Sequence, residues 1–326
     1  MFNISSNPHI KDKSTTQKVM LYVIIALLPT TLFGVFNYTS MFGLKYGIRT
    51  ILLIAYCITV CVVSEYLFDK ITKRPNSVGD LSAIVTGLIL ALNLPVTLPF
   101  WMAMVGSAFA IIVVKMLFGG LGQNFMNPAL GARCFLVLSF AGPMNKFFPT
   151  DVSKIDAVSS ATPLTQIKQT GATDTSLLDM FIGRHSGTIG ETSIVALLIG
   201  AIFLLVTKII DFRIPLTYII SFAVLMMIFN QSTDLTYLGK EICGGGLVFG
   251  AFFMATDYTT SPITKNGKYV YGICLGLLTA LLRTFGATAE GVSFAIIICN
   301  LLVPVIEKIT FPKAFGIREN KAKEGK

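Results

Sequence analysis

Long stretches without a single charged residue recur along this chain, and they confine it to folds whose solvent is lipid. Residues 19–36, 51–64, 96–114, 192–207, 214–229, 269–282 and 291–306 are uncharged and largely apolar. A helix crosses the hydrocarbon core of a bilayer in about 20 residues, so each run approaches spanning length. Shorter apolar pieces lie between them at 81–94, 127–140 and 247–255. Lipid offers backbone amides no partner, so such segments must be helical or pair into a closed barrel. Runs this long and continuous select helix. Only 13% of the 326 residues are charged, against about 25% in soluble domains. The sequence therefore predicts an all-α polytopic membrane protein of about ten transmembrane helices.

The net charge of +9 does not point to nucleic acid, because no basic stripe is interleaved with aromatics. It fits the excess of Lys and Arg on cytoplasmic loops. With ten spans and a cytoplasmic N-terminus, 17 of the 26 Lys and Arg residues fall inside, and both termini are expected in the cytoplasm. Residues 1–18 are polar and basic and lack the apolar centre of a signal peptide, so the first helix is expected to be retained. The six cysteines form no C-x-x-C pair, and the two histidines lie in polar segments. Neither pattern suits an iron–sulfur, zinc or haem site, so no metal site is expected.

The two halves read alike. Gly87 precedes Pro99 by twelve residues, and Gly250 precedes Pro262 by the same spacing. An apolar run follows each proline and ends in Phe-Gly, at Phe118-Gly119 and Phe285-Gly286. Lys115 and Arg283 stand just before those ends, and Gln123 and Glu290 lie five residues beyond each Phe. Five spans per half make the second half inverted relative to the first, an arrangement common in transporters. The third span of each half, 81–94 and 247–255, is short and reads as a broken helix. The expected organisation is a cytoplasmic segment 1–18, a five-helix repeat 19–141, an external loop 142–191, a second five-helix repeat 192–306 and a basic cytoplasmic tail 307–326.

The long polar loop contains Asp156-Ala157-Val158-Ser159-Ser160-Ala161-Thr162-Pro163. By composition alone this is an ordinary surface loop. Chemically, small neighbours leave the Thr162 hydroxyl open to a modifying enzyme, and Pro163 holds Thr162 in an extended backbone.

Four stretches then carry a resemblance that covers most of the chain. They are Asp80-Leu81-Ser82-Ala83-Ile84-Val85-Thr86-Gly87 running to Leu94-Pro95; Lys115-Met116-Leu117-Phe118-Gly119-Gly120-Leu121-Gly122-Gln123-Asn124 with Asn127-Pro128-Ala129; Phe252-Phe253-Met254-Ala255-Thr256-Asp257 with Thr260-Ser261-Pro262; and Arg283-Thr284-Phe285-Gly286 with Glu290-Gly291. Together they resemble the NqrB/RnfD family of membrane subunits of ion-pumping redox complexes. The chain lacks the longer N-terminal part usual in NqrB, which favours the RnfD type of the Rnf complex. It departs from the family pattern at Ser160, where glycine is frequent, and within Asn124-Phe125-Met126-Asn127, where proline often follows the first asparagine.

The resemblance implies FMN bound covalently through a phosphoester to Thr162, with Asp156, Ser159, Ser160, Ala161 and Pro163 as the attachment motif. A flavin transferase would install it from FAD. Lys154 and Lys168 are near enough in sequence to balance the phosphate. A second, noncovalent flavin (riboflavin or FMN) is implied between the repeats, nearer the cytoplasmic side. The expected setting is a bacterial cytoplasmic membrane, with other Rnf-type subunits as partners, among them a second covalent-flavin subunit and iron–sulfur subunits. The implied activity is electron relay in a ferredoxin:NAD oxidoreductase that exports Na+ or H+. No nucleotide fingerprint is present, so NAD and ferredoxin must bind elsewhere.

Asp80, Lys115, Arg133, Asp257, Arg283 and Glu290 are costly in lipid and should face the bundle interior. Each is a candidate for lining a cofactor or ion path. Lys115 and Arg283 have snorkelling at helix ends as their alternative, and Asp80 has helix capping. Arg133 lies deeper, where an internal partner is expected. Asn124 and Asn127 stand in a Gly-rich turn that either lines a ligand cavity or simply joins two helices. Two other readings compete: an NqrB-type subunit delivering electrons to quinone, and a flavin-free solute channel or transporter.

Overall fold

The computed structural model describes residues 15–147, 162–171, 173, 175–230, 234–286 and 290–312. Among these, helix is the only regular structure. In chain order the helices are α1 (Thr16–Phe42), α2 (Leu44–Thr72), α3 (Ser82–Leu92), α4 (Phe100–Met116), α5 (Pro128–Ser139), α6 (Ala141–Met144), α7 (Pro163–Thr170), α8 (Leu177–Ile182), α9 (Ile194–Val206), α10 (Arg213–Asn230), α11 (Leu235–Cys243), α12 (Leu247–Phe249, continued by a wider turn over Gly250–Met254), α13 (Lys265–Phe285) and α14 (Val292–Thr310).

Five of them, α1, α2, α10, α13 and α14, are long and apolar enough to cross a membrane, while α3, α4, α5 and α9 are shorter apolar helices. The chain is a multi-pass membrane protein. On α1 the outward residues Leu21, Leu28, Leu32 and Phe36 recur at helical spacing and stay exposed. In lipid such a stripe needs no protein cover.

The helices differ from the charge-free runs in instructive ways. Helix α2 continues past the run at 51–64 and takes in Glu65 and Asp69, both buried. Their carboxylates are satisfied inside the protein, so they do not end the helix. The run at 96–114 becomes helical only from Phe100, after Pro95 and Pro99. The carbonyls of that non-helical approach are met by Arg49 of α2, which donates to Val96 at 2.7 Å and to Leu98 at 3.0 Å.

The break after α3 is resolved by the segment that precedes α9. The carbonyl oxygens of Leu92 and Leu94 accept the amides of Gly190 at 2.7 Å and Ile189 at 3.3 Å. These are the orphan carbonyls that any helix end leaves. The stretch 142–191 carries α7, α8 and all but the first residue of α6, and its end is buried in the bundle.

Helix α2 packs on α4 as α10 packs on α13, and α4 meets α5 as α13 meets α14. Between halves, α1 lies against α9 and α5 against α14. Small residues set the closest contacts, as is common between membrane helices. A Cβ at Gly87 would lie 2.7 Å from the Ile58 Cα, and one at Gly276 would lie 1.9 Å from the Ser221 hydroxyl.

Candidate functional site: two cavities at opposite ends of the bundle

Thr162 is the N-cap of α7. Its backbone is extended (φ −63°, ψ 154°), as the following proline requires, and Pro163 opens the helix. The Thr162 Oγ1 accepts the Thr165 amide at 3.3 Å and lies 2.9 Å from the Thr165 hydroxyl. An N-cap hydroxyl stands at the positive end of the helix dipole, where a phosphate is favoured. The residues Asp156, Ser159, Ser160 and Ala161 of the attachment motif, and Lys154, lie outside the described residues. Leu164, two positions on, packs on the glycine turn 244–246, where Gly245 has φ +66°. That turn also brings Arg283 and Glu290 close to α7.

Beside α7 opens a cavity with about 590 Å³ of empty space, its mouth included. Leu164, Ile167 and Met226 give it apolar walls, and Lys168, Tyr237, Glu241 and Arg283 line it with polar groups. Arg283 does not snorkel. It is buried, pairs with Glu241 at 3.0 Å, donates to the Gly244 carbonyl at 3.0 Å and lies 5.0 Å from the Phe222 ring centroid. Among the described residues its Nε has no hydrogen-bond partner. Lys168 donates to the Gly286 carbonyl. Burial, together with Glu241, pushes the Tyr237 hydroxyl up to about 12, so it keeps its proton.

A second cavity, with about 740 Å³ of empty space including its mouth, gathers four of the sequence candidates: Lys115, Asn124, Asn127 and Asp257. Val85, Ile89, Phe252 and Phe253 supply apolar walls. Lys115 does not snorkel either. It pairs with Glu65 at 2.8 Å and donates to Ser82, and both members of the ion pair are buried. Asp80 is not the N-cap of α3, a place taken by Leu81, but from one residue earlier it accepts the Ser82 amide at 2.8 Å. Asn127 caps α5 through Ala129 at 3.1 Å, while the Asn124 side chain donates to the Met126 carbonyl at 3.0 Å. The Gly-rich turn thus both joins helices and lines a cavity. Asp257 accepts from Thr259, from the amide at 3.2 Å and from the hydroxyl at 3.0 Å.

The cavity at Lys115 adjoins two π-type turns. Leu117 bonds back five residues to Ile112 at 3.0 Å, and Ala255 to Gly250 at 2.8 Å. Such turns are frequent at functional sites. Val19 and Met20, near the start of α1, line the cavity at Lys115. Asn37 and Tyr38, near its end, hold the carbonyls of Gly183 and Gly187 at 2.8 and 2.7 Å. At 1.5 Å per residue these ends are about 26 Å apart. The loop at 183–187 follows α8, which packs on α11. The cavity beside α7 and α11 therefore lies at the far end from Lys115.

A sequence model of the NQR2, RnfD, RnfE family matches residues 3–316. The chain belongs to that family. It is 41% identical to the D subunit of the Na+-translocating ferredoxin:NAD+ oxidoreductase complex of Acetobacterium woodii, over 99% of this chain and 98% of that protein. It is 37% identical to the D subunit of the proton-translocating ferredoxin:NAD+ oxidoreductase complex of Clostridium ljungdahlii, over 98% and 97%. The D subunit of the ion-translocating oxidoreductase complex of Actinobacillus succinogenes is 32% identical, over 97% of this chain and 98% of that protein.

In this family member the remaining candidates, Arg133 and Glu290, meet between the cavities. Arg133 is buried, pairs with Glu191 at 3.1 Å and with Glu290, and donates to Asn93 at 3.0 Å and Ser293 at 2.9 Å. It joins α3, α5, the start of α14 and the loop before α9. Sequence reasoning missed Glu65, Glu191 and Glu241 as partners. Each stands at the edge of an apolar run or within a polar one, and looks solvated there. The usable signal was the count of buried cations needing anions.

His185 of the loop before α9 gives a pH-dependent expectation. Burial pushes its imidazole down to about 4, and its Nδ1 has no hydrogen-bond partner. The folded protein therefore keeps it neutral while the unfolded chain protonates near 6.5. Stability is full above pH 6.5 and is lost as pH falls towards 4, by about 3 kcal/mol in all. The thermal midpoint in detergent should fall over that window, and His185→Gln should flatten the fall. An unchanged slope in the variant contradicts the assignment.

Proposed function

We propose that the chain is the membrane-embedded flavin subunit of an ion-pumping ferredoxin:NAD+ oxidoreductase complex. The observation that carries the reading is the placement of Thr162 in a chain that the family model matches over residues 3–316. Its hydroxyl caps a helix at one end of the bundle, beside a cavity lined by the buried Arg283 and the exposed Lys168. In this reading FMN is joined to Thr162 by a flavin transferase. The Thr162 Oγ attacks the flavin-side phosphorus of FAD, the pyrophosphate bond breaks, and AMP leaves. The N-terminus of α7 then balances the remaining negative charge of the diester.

The cavity at Lys115 fits a second flavin held without a covalent bond. Phe252, Phe253 and Ile89 offer flat apolar cover, and Asn124 and Thr256 stand among its polar lining. Bound flavins would supply one-electron chemistry, while the protein supplies position and electrostatics. The chain's own residues hold the two sites at opposite ends of the bundle, which supports relay across the membrane. The pairing of equivalent helices, with Lys115 and Arg283 at opposite ends, supports two inverted five-helix repeats, 19–141 and 192–306. The charge distribution supports cytoplasmic termini, and in that orientation Thr162 is on the outer side of a bacterial cell membrane. Partners are the other subunits of the complex, including iron–sulfur subunits and a second covalent-flavin subunit. The relatives' names favour this reading over quinone reduction or solute transport, and they span both Na+ and H+.

Inverted membrane vesicles containing the whole complex test it. Reduced ferredoxin with NAD+ should drive Na+ or H+ uptake, and Thr162→Ala should abolish both NADH formation and uptake. Undiminished activity in that variant would overturn the reading.

A further inference from the structure

The seam between α10 and α13 ends in a cluster of charge that lines neither cavity. Asp211, in the turn before α10, accepts the Arg213 guanidinium at 2.9 Å and the Lys268 ammonium at 3.0 Å on one carboxylate oxygen. Its other oxygen accepts the Arg213 amide at 3.1 Å. The carboxylate thus fixes two cations side by side, yet their side chains stay 24% and 22% exposed. A guanidinium has five N–H donors and an ammonium three, and Asp211 takes one from each side chain. Lys265, one turn before Lys268, and Lys208, three residues before Asp211, are exposed and make no ion pair among the described residues. Glu307 of α14 also approaches this end and accepts the Ile263 amide at 2.9 Å, but Lys308 follows it. The cluster therefore holds a surplus of positive charge. Ile209 and Ile210 of the same turn line the cavity at Lys115, which sets the cluster at that end of the bundle.

We propose that this end of the α10–α13 seam binds an anionic phospholipid, its phosphodiester held by Arg213, Lys268 and Lys265 and its acyl chains laid along the seam. Cations at span ends often snorkel as separate solvated charges, and such charges need no carboxylate to order them. Here Asp211 orders two of them with N–H donors left over, and charge-assisted bonds from such donors suit phosphate oxygens. The apolar seam decides for a lipid over a free phosphate. Ile220 and Val224 on α10 and Ile273 and Leu277 on α13 are exposed along the same two helices. The helices meet too closely to admit a chain between them, since a Cβ at Gly272 would lie 1.9 Å from the Thr217 hydroxyl. Their seam is therefore a shallow apolar furrow on the lipid side. The Arg213 guanidinium lies 6.0 Å from the Tyr269 ring centroid, so it bridges the two helices at the end of this furrow. Tyr269 and Phe212 are themselves exposed, as aromatic residues at a membrane interface commonly are. A bound headgroup would steady the turn whose Ile209 and Ile210 wall the cavity at Lys115.

Native mass spectrometry of the full-length chain in a neutral detergent tests the site. The chain is titrated with phosphatidylglycerol, with phosphatidylcholine and with glycerol phosphate. The expected result is one phosphatidylglycerol bound at concentrations where the other two probes are not retained. Lys268→Gln and Lys265→Gln should each weaken that binding about fivefold, the effect of one basic residue at an anionic headgroup. Lys265 is exposed and unpaired among the described residues, so its variant folds even if Lys268→Gln does not. Lys45→Gln removes one exposed charge at the start of α2 and should bind phosphatidylglycerol as wild type does. Wild-type affinity in the folded seam variants overturns the proposal. So does an equal loss in Lys45→Gln, which would make the effect one of overall charge. Retention of phosphatidylcholine as tight as that of phosphatidylglycerol removes the headgroup site, and glycerol phosphate bound equally tightly removes the role of the seam.

Discussion

Thr162→Ala will lose covalently bound flavin completely, while Thr165→Ala will keep it. The two hydroxyls lie 2.9 Å apart, so proximity alone does not choose between them. Position does. Thr162 is the N-cap, so a phosphate on its oxygen sits before the first turn, where backbone amides of the helix point outward. Thr165 lies within the first turn, and a phosphate there would lose part of that field. Removing the Thr162 cap costs α7 about 1 kcal/mol, a small loss for a helix whose Leu164 and Ile167 are buried. The variant should therefore fold and still expose the loss of flavin as a chemical effect. In-gel fluorescence after denaturation reads the outcome. Fluorescence that survives in Thr162→Ala and vanishes in Thr165→Ala would move the attachment site.

Arg133→Met will destabilise the bundle by about 3–5 kcal/mol, the cost of breaking a buried ion pair by removing one partner. Glu191 would be left buried without its cation, and Asn93 and Ser293 would lose their donor. The cation also ties together segments from both halves, so its loss loosens the junction between them. Adding Glu191→Gln to Arg133→Met should recover part of the loss, because only the more exposed of the two carboxylates, Glu290, is then left without its cation. The thermal midpoint in detergent for both single variants and the double variant separates the pairwise contribution. A midpoint for Arg133→Met equal to that of wild type would contradict the network.

The helical class and the shortness of the helices within 81–94 and 247–255 were legible because lipid imposes strict rules on apolar length and buried charge. Arg133 was legible as a cation needing an internal partner. The partners themselves were not. Glu65 follows an apolar run and reads as its solvated end, yet α2 carries it another turn and buries it under Lys115. Glu241 lies on α11, an amphipathic helix of nine residues hidden within a polar stretch. The return of 183–191 into the bundle follows from the unmet carbonyls after α3, a demand visible only once the break is placed. Pro163 did reveal the extended backbone of Thr162, since that constraint is local. Which candidates share a cavity was beyond sequence. Asn124 and Asp257 are brought to one wall only by the packing of the two halves.

The central claim is that Thr162 carries the flavin, and peptide mass spectrometry tests it most directly. The chain should be produced with a flavin transferase and FAD, digested, and the peptide containing Thr162 sequenced by fragmentation. The account predicts a mass increase equal to FMN less one water, localised on the Thr162 side chain. An unmodified Thr162 peptide from protein made in those conditions, or the same adduct on another residue, would contradict it.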